Sequence, residues 1–247
     1  MNYLNKLVNS LNKNPLTIIQ FNKILEKSDT FFDNIELEKE LLVSNGLPLH
    51  FSNDYVHLKT SETILKDQTF CIVDIETTAG NAKDGQIIEL GAVKYKNGQV
   101  IEKYESLVNT GEIPQVIQEL TGITPEMTHN APNLRSVLEE FKIFLEDDVF
   151  VAHAIAFDYK FISDSFKKYD LGELCNRRLC TIDLSKKVID CERYGLKYLK
   201  EHLHIDIDNH HRAFSDALST QKILEVCFEK LPTNIITTED LITFSKK

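Results

Sequence analysis

Apolar residues Leu4, Leu7, Val8 and Leu11 recur at helical spacing among Asn and Lys, which predicts a short amphipathic helix at the start of the chain. Helices are predicted over 16–27 and 35–45, and Leu49 to Leu58 read as a small hairpin around a Ser52-Asn53-Asp54 turn, a combination of winged-helix type. From residue 68 the pattern becomes strand-like. Apolar, β-prone runs cover 69–75, 86–95 and 99–108, the last two joined by Lys96-Asn97-Gly98, a turn suited to a hairpin. Helices over 114–121 and 134–146 follow, then a strand at 149–153 and a helix to about 169 that carries Phe157, Phe161, Ile162 and Phe166 inward. A short strand near 178–182, further helices, and a long helix over 212–229 complete this stretch; Ala217, Leu218, Ile223, Leu224 and Phe228 keep helical spacing in the last. A final helix starts at Thr238, with Glu239 and Asp240 in its first turn. Hairpins first and βα units afterwards predict an α/β fold, a mixed five-stranded sheet flanked by helices over 66–231, behind a small, mainly helical N-terminal region (1–65) and before a C-terminal tail (232–247).

Composition changes this picture little. With 247 residues and 42% apolar content the chain can build a proper core. A net charge of −10 argues against a protein that coats nucleic acid nonspecifically. Locally the balance reverses: between Lys160 and Lys200 there are ten basic residues against six acidic ones, a segment able to guide a phosphate backbone or simply to form solvated helix faces. Cys71, Cys175, Cys180, Cys191 and Cys227 lack zinc-type spacing and leave one unpaired, so reduced thiols in a cytoplasmic protein are expected. No signal peptide or membrane span is expected either.

Chemistry concentrates in three motifs. Cys71-Ile72-Val73-Asp74-Ile75-Glu76-Thr77-Thr78 is a buried strand ending in two carboxylates at i and i+2, which share a face and can grip a hard cation while Val73 and Ile75 face the core. Similar triplets occur at Glu36/Glu38, Glu38/Glu40 and Asp206/Asp208, so the spacing alone equally describes a solvated strand end. Carboxylates placed directly after a buried strand, however, need a partner. In Phe150-Val151-Ala152-His153-Ala154-Ile155-Ala156-Phe157-Asp158, the aspartate falls in the first turn of a helix, where the dipole would also favour an ordinary acid. In His211-Arg212-Ala213-Phe214-Ser215-Asp216-Ala217, five residues separate His211 from Asp216, so both cannot share a helical face; His211 belongs to the preceding loop, free to swing over a metal held by Asp216. His202, His204, Asp206, Asp208, His210 and His211 also form a His/Asp run that a metallohydrolase could use, without ordered motif.

Taken together these motifs resemble the DEDDh 3′–5′ exonucleases, including the proofreading (epsilon) subunits of bacterial DNA polymerase III, over residues 68 to 230. Ile87-Ile88-Glu89-Leu90-Gly91-Ala92-Val93 and Ile117-Gln118-Glu119-Leu120-Thr121-Gly122-Ile123-Thr124-Pro125-Glu126-Met127 are similar to further family signatures. Two departures stand out: Ala79 intervenes between Thr78 and Gly80 where the family has Thr-Thr-Gly, and Ala154 replaces the Asn of His-Asn-Ala. Neither removes a metal ligand; both touch expected substrate contacts. The resemblance implies a ribonuclease H-like fold and two Mg²⁺ ions, with Mn²⁺ as substitute. Asp74 would bridge both ions, Glu76 and Asp216 would complete one site, and Asp158 would hold the other. His211 would act as the base, and Thr77 and Phe157 would lie at the terminal nucleotide. It also implies a single-stranded or frayed DNA 3′ end as substrate and the polymerase III catalytic subunit as partner. Asp240-Leu241-Ile242-Thr243-Phe244 resembles sliding-clamp-binding pentapeptides. Related alternatives are a 3′–5′ exoribonuclease and a non-catalytic polymerase accessory subunit; the intact carboxylate set counts against the latter, since a binding module has no use for clustered like charges.

Overall fold

The run Phe70 to Thr77 alternates between two apolar layers, and this strand organises the molecule. A computed structural model of the chain describes residues 3–27, 34–207 and 211–246. Its elements are α1 (Tyr3–Leu11), β1 (Leu16–Thr17), α2 (Ile18–Leu25), α3 (Ile35–Ser44), β2 (Leu49–Phe51), β3 (Tyr55–Leu58) and α4 (Lys59–Glu62). Next come β4 (Phe70–Thr77), β5 (Ile87–Lys96), β6 (Gln99–Leu107), α5 (Gln115–Thr121), α6 (Pro125–Thr128), α7 (Leu134–Leu145) and β7 (Val149–Ala152). The chain continues through α8 (Ala156–Lys168), β8 (Arg178–Cys180), α9 (Thr181–Val188), α10 (Leu196–His202), α11 (Ala213–Glu229) and α12 (Thr238–Lys246).

The five-stranded sheet runs β6-β5-β4-β7-β8, with β4, β5 and β6 antiparallel and β7 and β8 parallel to β4. Asn97 and Gly98, both at positive φ, turn β5 into β6. Cys71, Val73 and Ile75 pack with Phe150 and Ala152 beneath α7 and α8, whereas Phe70 and Ile72 pack with Val149 and Val151 beneath α11. Burial on both faces explains the near-continuous apolar runs of β4 and β7. The expected mixed α/β sheet flanked by helices is therefore present.

Residues 16–27 depart from the expected single helix. Leu16 and Thr17 pair with Val56 and Tyr55 in a small antiparallel sheet, order β1-β3-β2, and Thr17 caps α2 in a box with Gln20. The N-terminal elements bury Leu7, Phe21, Leu25, Leu42 and Leu58 together, and Cys175 of the larger body joins that cluster. The last segment is likewise built in: α12 starts at Thr238 as expected, but Leu241 is 0% exposed and Ile242 is buried in the core beneath α11. A helix with its key leucine turned inward does not present a free clamp-binding peptide, which removes the support for that reading. All five cysteines are free thiols, and no helix among the described residues is long and apolar enough to cross a membrane.

Candidate active site

Alternation along β4 decides where its carboxylates go. Asp74 and Glu76 continue the Phe70–Ile72 parity and so lie on the α11 side, at the end of the strand where apolar packing stops. Directly across the ladder from Asp74 is Gly91. A Cβ there would fall 2.2 Å from the Phe214 backbone nitrogen and 2.4 Å from the Ala213 carbonyl carbon, so only glycine lets the first turn of α11 rest on β5. Asp216 sits in that turn, 6% exposed. His211 precedes the helix in a left-handed conformation, φ 61°, and its backbone N–H donates to Asp216 Oδ2 at 3.1 Å. As a result, ligand atoms of Glu76, His211 and Asp216 lie within 4.8 Å of one another.

Electrostatics draws in the remaining two acids. Asp74 is held well above the ordinary carboxylate range by burial, and then by the charges of Asp158, Asp216, Glu76 and Glu89. Glu76 is pushed up to about 8 by burial together with Asp216, Glu89 and Asp158, opposed by Arg212. Burial pushes Asp158, 4% exposed at the start of α8, up to about 7, although backbone N–H groups of Asp158 and Ile75 resist the rise. Four segments distant in sequence thus share one anionic field that desolvation intensifies. Oxygen donors with an imidazole at the rim are the donor set that a hard divalent cation accepts.

The expected substrate contacts are less uniform. Thr77 spends its hydroxyl on the Ala79 carbonyl at 2.8 Å. Phe157 does not point inward as its spacing predicts: it is 40% exposed beside Asp158, with its ring 5.8 Å from that of Phe161. The extra Ala79 is absorbed by a loop closed at its base, where Thr78 Oγ1 accepts the Gln86 N–H at 2.9 Å. Ala154 has φ 70°, the left-handed region where Asn is at home, so the missing Asn leaves an alanine in a conformation that costs about 1 kcal/mol. Of the His/Asp run, Asp208 and His210 lie outside the described residues, and among the described residues His202, His204 and Asp206 join no potential metal-binding group.

Three further residues went unread in the sequence. Glu89, fully buried in β5, receives a bidentate pair from Arg212, with Nη2 2.6 Å from Oε1, and also accepts the Ala213 N–H at 2.9 Å. His153 bridges Thr181 Oγ1 at 2.8 Å and the Tyr194 carbonyl at 2.9 Å, and burial drops its imidazole to about 4. A glutamate inside the apolar run Ile87–Val93 of β5 was the available signal for the first pair.

A protein-family model described as Exonuclease matches residues 71–224, a span containing all four acids and His211. The chain belongs to this exonuclease family. Among relatives of the exonuclease domain, the PolC-type DNA polymerase III of Staphylococcus aureus is 35% identical over 185 residues, 74% of this chain but only 12% of that polymerase. Solved structures with the exonuclease fold include exonuclease X in complex with 5′ overhanging duplex DNA (TM-score 0.57, 21% identity, 71% of this chain and 99% of that one). The zinc-bound E. coli exonuclease I–ssDNA complex (TM-score 0.61, 16% identity, 68% and 42%) shares it too. The family match makes residues 71–224 an exonuclease-family domain, and the solved structures share its fold.

Proposed function

We propose that the protein hydrolyses the terminal phosphodiester at the 3′ end of single-stranded or frayed DNA, releasing nucleoside 5′-monophosphates, as a cytoplasmic proofreading activity beside a polymerase III-type catalytic subunit. What carries the reading is the convergence of Asp74, Glu76, Asp158, Asp216 and His211 from β4, α8 and the approach to α11. Asp74, Glu76 and Asp216 would hold one divalent cation and Asp74 with Asp158 a second, Mg²⁺ or Mn²⁺. Bound cations supply charge neutralisation at phosphorus and a more acidic water. His211, exposed at the rim, takes a proton from the attacking water. The water oxygen forms the new bond to phosphorus, the bond to the 3′ oxygen breaks, and that oxygen regains a proton from solvent. Phe157 offers an exposed ring for the terminal base, and Thr77 lies at the same strand end.

The polymerase similarity supports the proofreading assignment, and the DNA complexes of fold relatives support the substrate. The basic stretch contributes only in part. Lys160 and Lys167 pair with Asp164 and Glu173, Arg177 with Glu239, Arg178 stacks on Tyr159, and Lys200 caps the Ile207 carbonyl. Arg193 stacks on Tyr198 and donates to its hydroxyl, while Lys168, Lys186, Lys187 and Lys197 stay exposed for phosphates. Purified protein with Mg²⁺ or Mn²⁺ should release 5′-mononucleotides from matched DNA oligonucleotides faster than from RNA, and Asp74→Ala should lose at least about 10²-fold. Unchanged turnover in Asp74→Ala defeats the assignment, and preference for RNA moves it to an exoribonuclease.

A further inference from the structure

We infer that Glu89 and Arg212 act as a positioning clamp that fixes the start of α11, and with it His211 and Asp216, against the carboxylates of β4. The inference rests on the exonuclease reading and adds to it two residues outside the proposed ligand set. In the β4–β5 ladder Glu76 faces Glu89 directly. Like charges across a sheet pair destabilise it unless a cation covers one of them. Arg212 does so with a planar fork: Nε lies 3.0 Å from Oε1 and 3.2 Å from Oε2, and Nη2 lies 2.6 Å from Oε1.

The clamp also solves a capping problem. Helix α11 has no side-chain N-cap of its own, because the residue in that position is Arg212. The orphan N–H of Ala213 is satisfied instead from the sheet, by Glu89 Oε2 at 2.9 Å. Glu89 therefore holds the backbone and the side chain on either side of the same peptide, while Gly91 two residues on removes any clearance beneath the helix. His211 is the residue just before this fixed point. Asp216 is one turn after it, its N–H bonded to the Arg212 carbonyl at 3.0 Å. A fork that grips both carboxylate oxygens sets rotation as well as distance, which a lysine point charge does not.

Arg212→Lys keeps the charge and loses the fork, so it separates positioning from simple charge balance. Three quantities are read on the full chain: Mn²⁺ affinity by calorimetry without nucleic acid, kcat and KM on a single-stranded oligonucleotide, and the thermal midpoint. Arg212→Lys is expected to weaken Mn²⁺ binding and lower kcat by about 10-fold each, the lower range for residues that orient metal ligands, with KM within about twofold. Wild-type Mn²⁺ affinity and kcat in this variant would overturn the clamp, as would a rise in KM alone, which would make Arg212 a substrate contact. Should Arg212→Lys melt below assay temperature, Glu89→Gln, which keeps size and the acceptor for Ala213, is read against the same criteria. Asp74→Ala run in parallel separates the two readings: its full activity rejects the exonuclease assignment, whereas its inactivity beside an unaffected Arg212→Lys rejects the clamp alone.

Discussion

His153 illustrates how one side chain can be fixed by proton bookkeeping. The Tyr194 carbonyl can only accept, so Nε2 carries the hydrogen and Nδ1 receives the Thr181 hydroxyl. Burial penalises the charged ring and lowers its value from 6.5 to about 4, although the bond to the Tyr194 carbonyl resists the fall. A depressed imidazole contributes stability that is complete above pH 6.5 and drains away as pH falls toward 4. Urea denaturation of wild type and His153→Gln should therefore show the wild-type advantage shrinking by about 2 kcal/mol between pH 7 and pH 5; a constant difference would mean the ring is not held neutral. At this scale the sequence was legible wherever a polar residue ended an apolar run, as at Asp74, Glu76 and Asp158. Glu89 and Arg212 escaped because their meaning lies in a pairing across 123 positions, which no local pattern encodes. Phe157 escaped for another reason: helical spacing gives a face, and only the neighbouring strand end decides whether that face is covered.

Among the elements, α11 against β5 is the contact on which the site depends. Gly91→Ala drives a methyl carbon to within 2.2–2.5 Å of the Ala213 and Phe214 backbone, and lifting the helix should cost about 3 kcal/mol along with Mn²⁺ binding. Gly80→Ala, with nothing within 4 Å, is the control and should stay within about 0.5 kcal/mol by chemical denaturation. Equal effects of the two substitutions would refute this account of the contact. Strands β4 to β7 and the long helices were readable because their periods are sustained. Short pieces were not: β1 is two residues long and exists only through Val56 and Tyr55, so Leu16 and Thr17 read as helix until the partner strand is known. Thr17 with Gln20 was nevertheless a capping box in plain view.

The whole molecule carries a net charge of −10 and gathers four acids where water is scarce. A ligand that neutralises them should stabilise the fold by mass action. At about 100 times its dissociation constant, Mn²⁺ should add roughly 2.7 kcal/mol, about 5–10 °C for a chain of this size, in a thermal melt. Asp216→Asn should abolish the increment, and a melting point indifferent to Mn²⁺ would contradict a cation site. Mixed-sheet architecture followed from the order of hairpin and βα units. How the first and last segments dock did not, because their anchors are single polar residues meeting far along the chain. Glu239 of α12 accepts from both Arg177 nitrogens, at 2.6 and 2.7 Å, and from the Thr60 hydroxyl at 2.8 Å. Nearby, Thr238 donates its N–H to the Thr63 carbonyl at 3.0 Å. Trimming the C-terminal segment would strand the Arg177 guanidinium, a penalty of about 3–5 kcal/mol when one member of a buried pair is lost, whereas trimming the N-terminal one would cost Glu239 only the Thr60 hydroxyl. Because Glu239 is gripped from both sides, the central body and its two flanks should melt in one calorimetric step, and a separate early transition would show a flank that comes loose by itself.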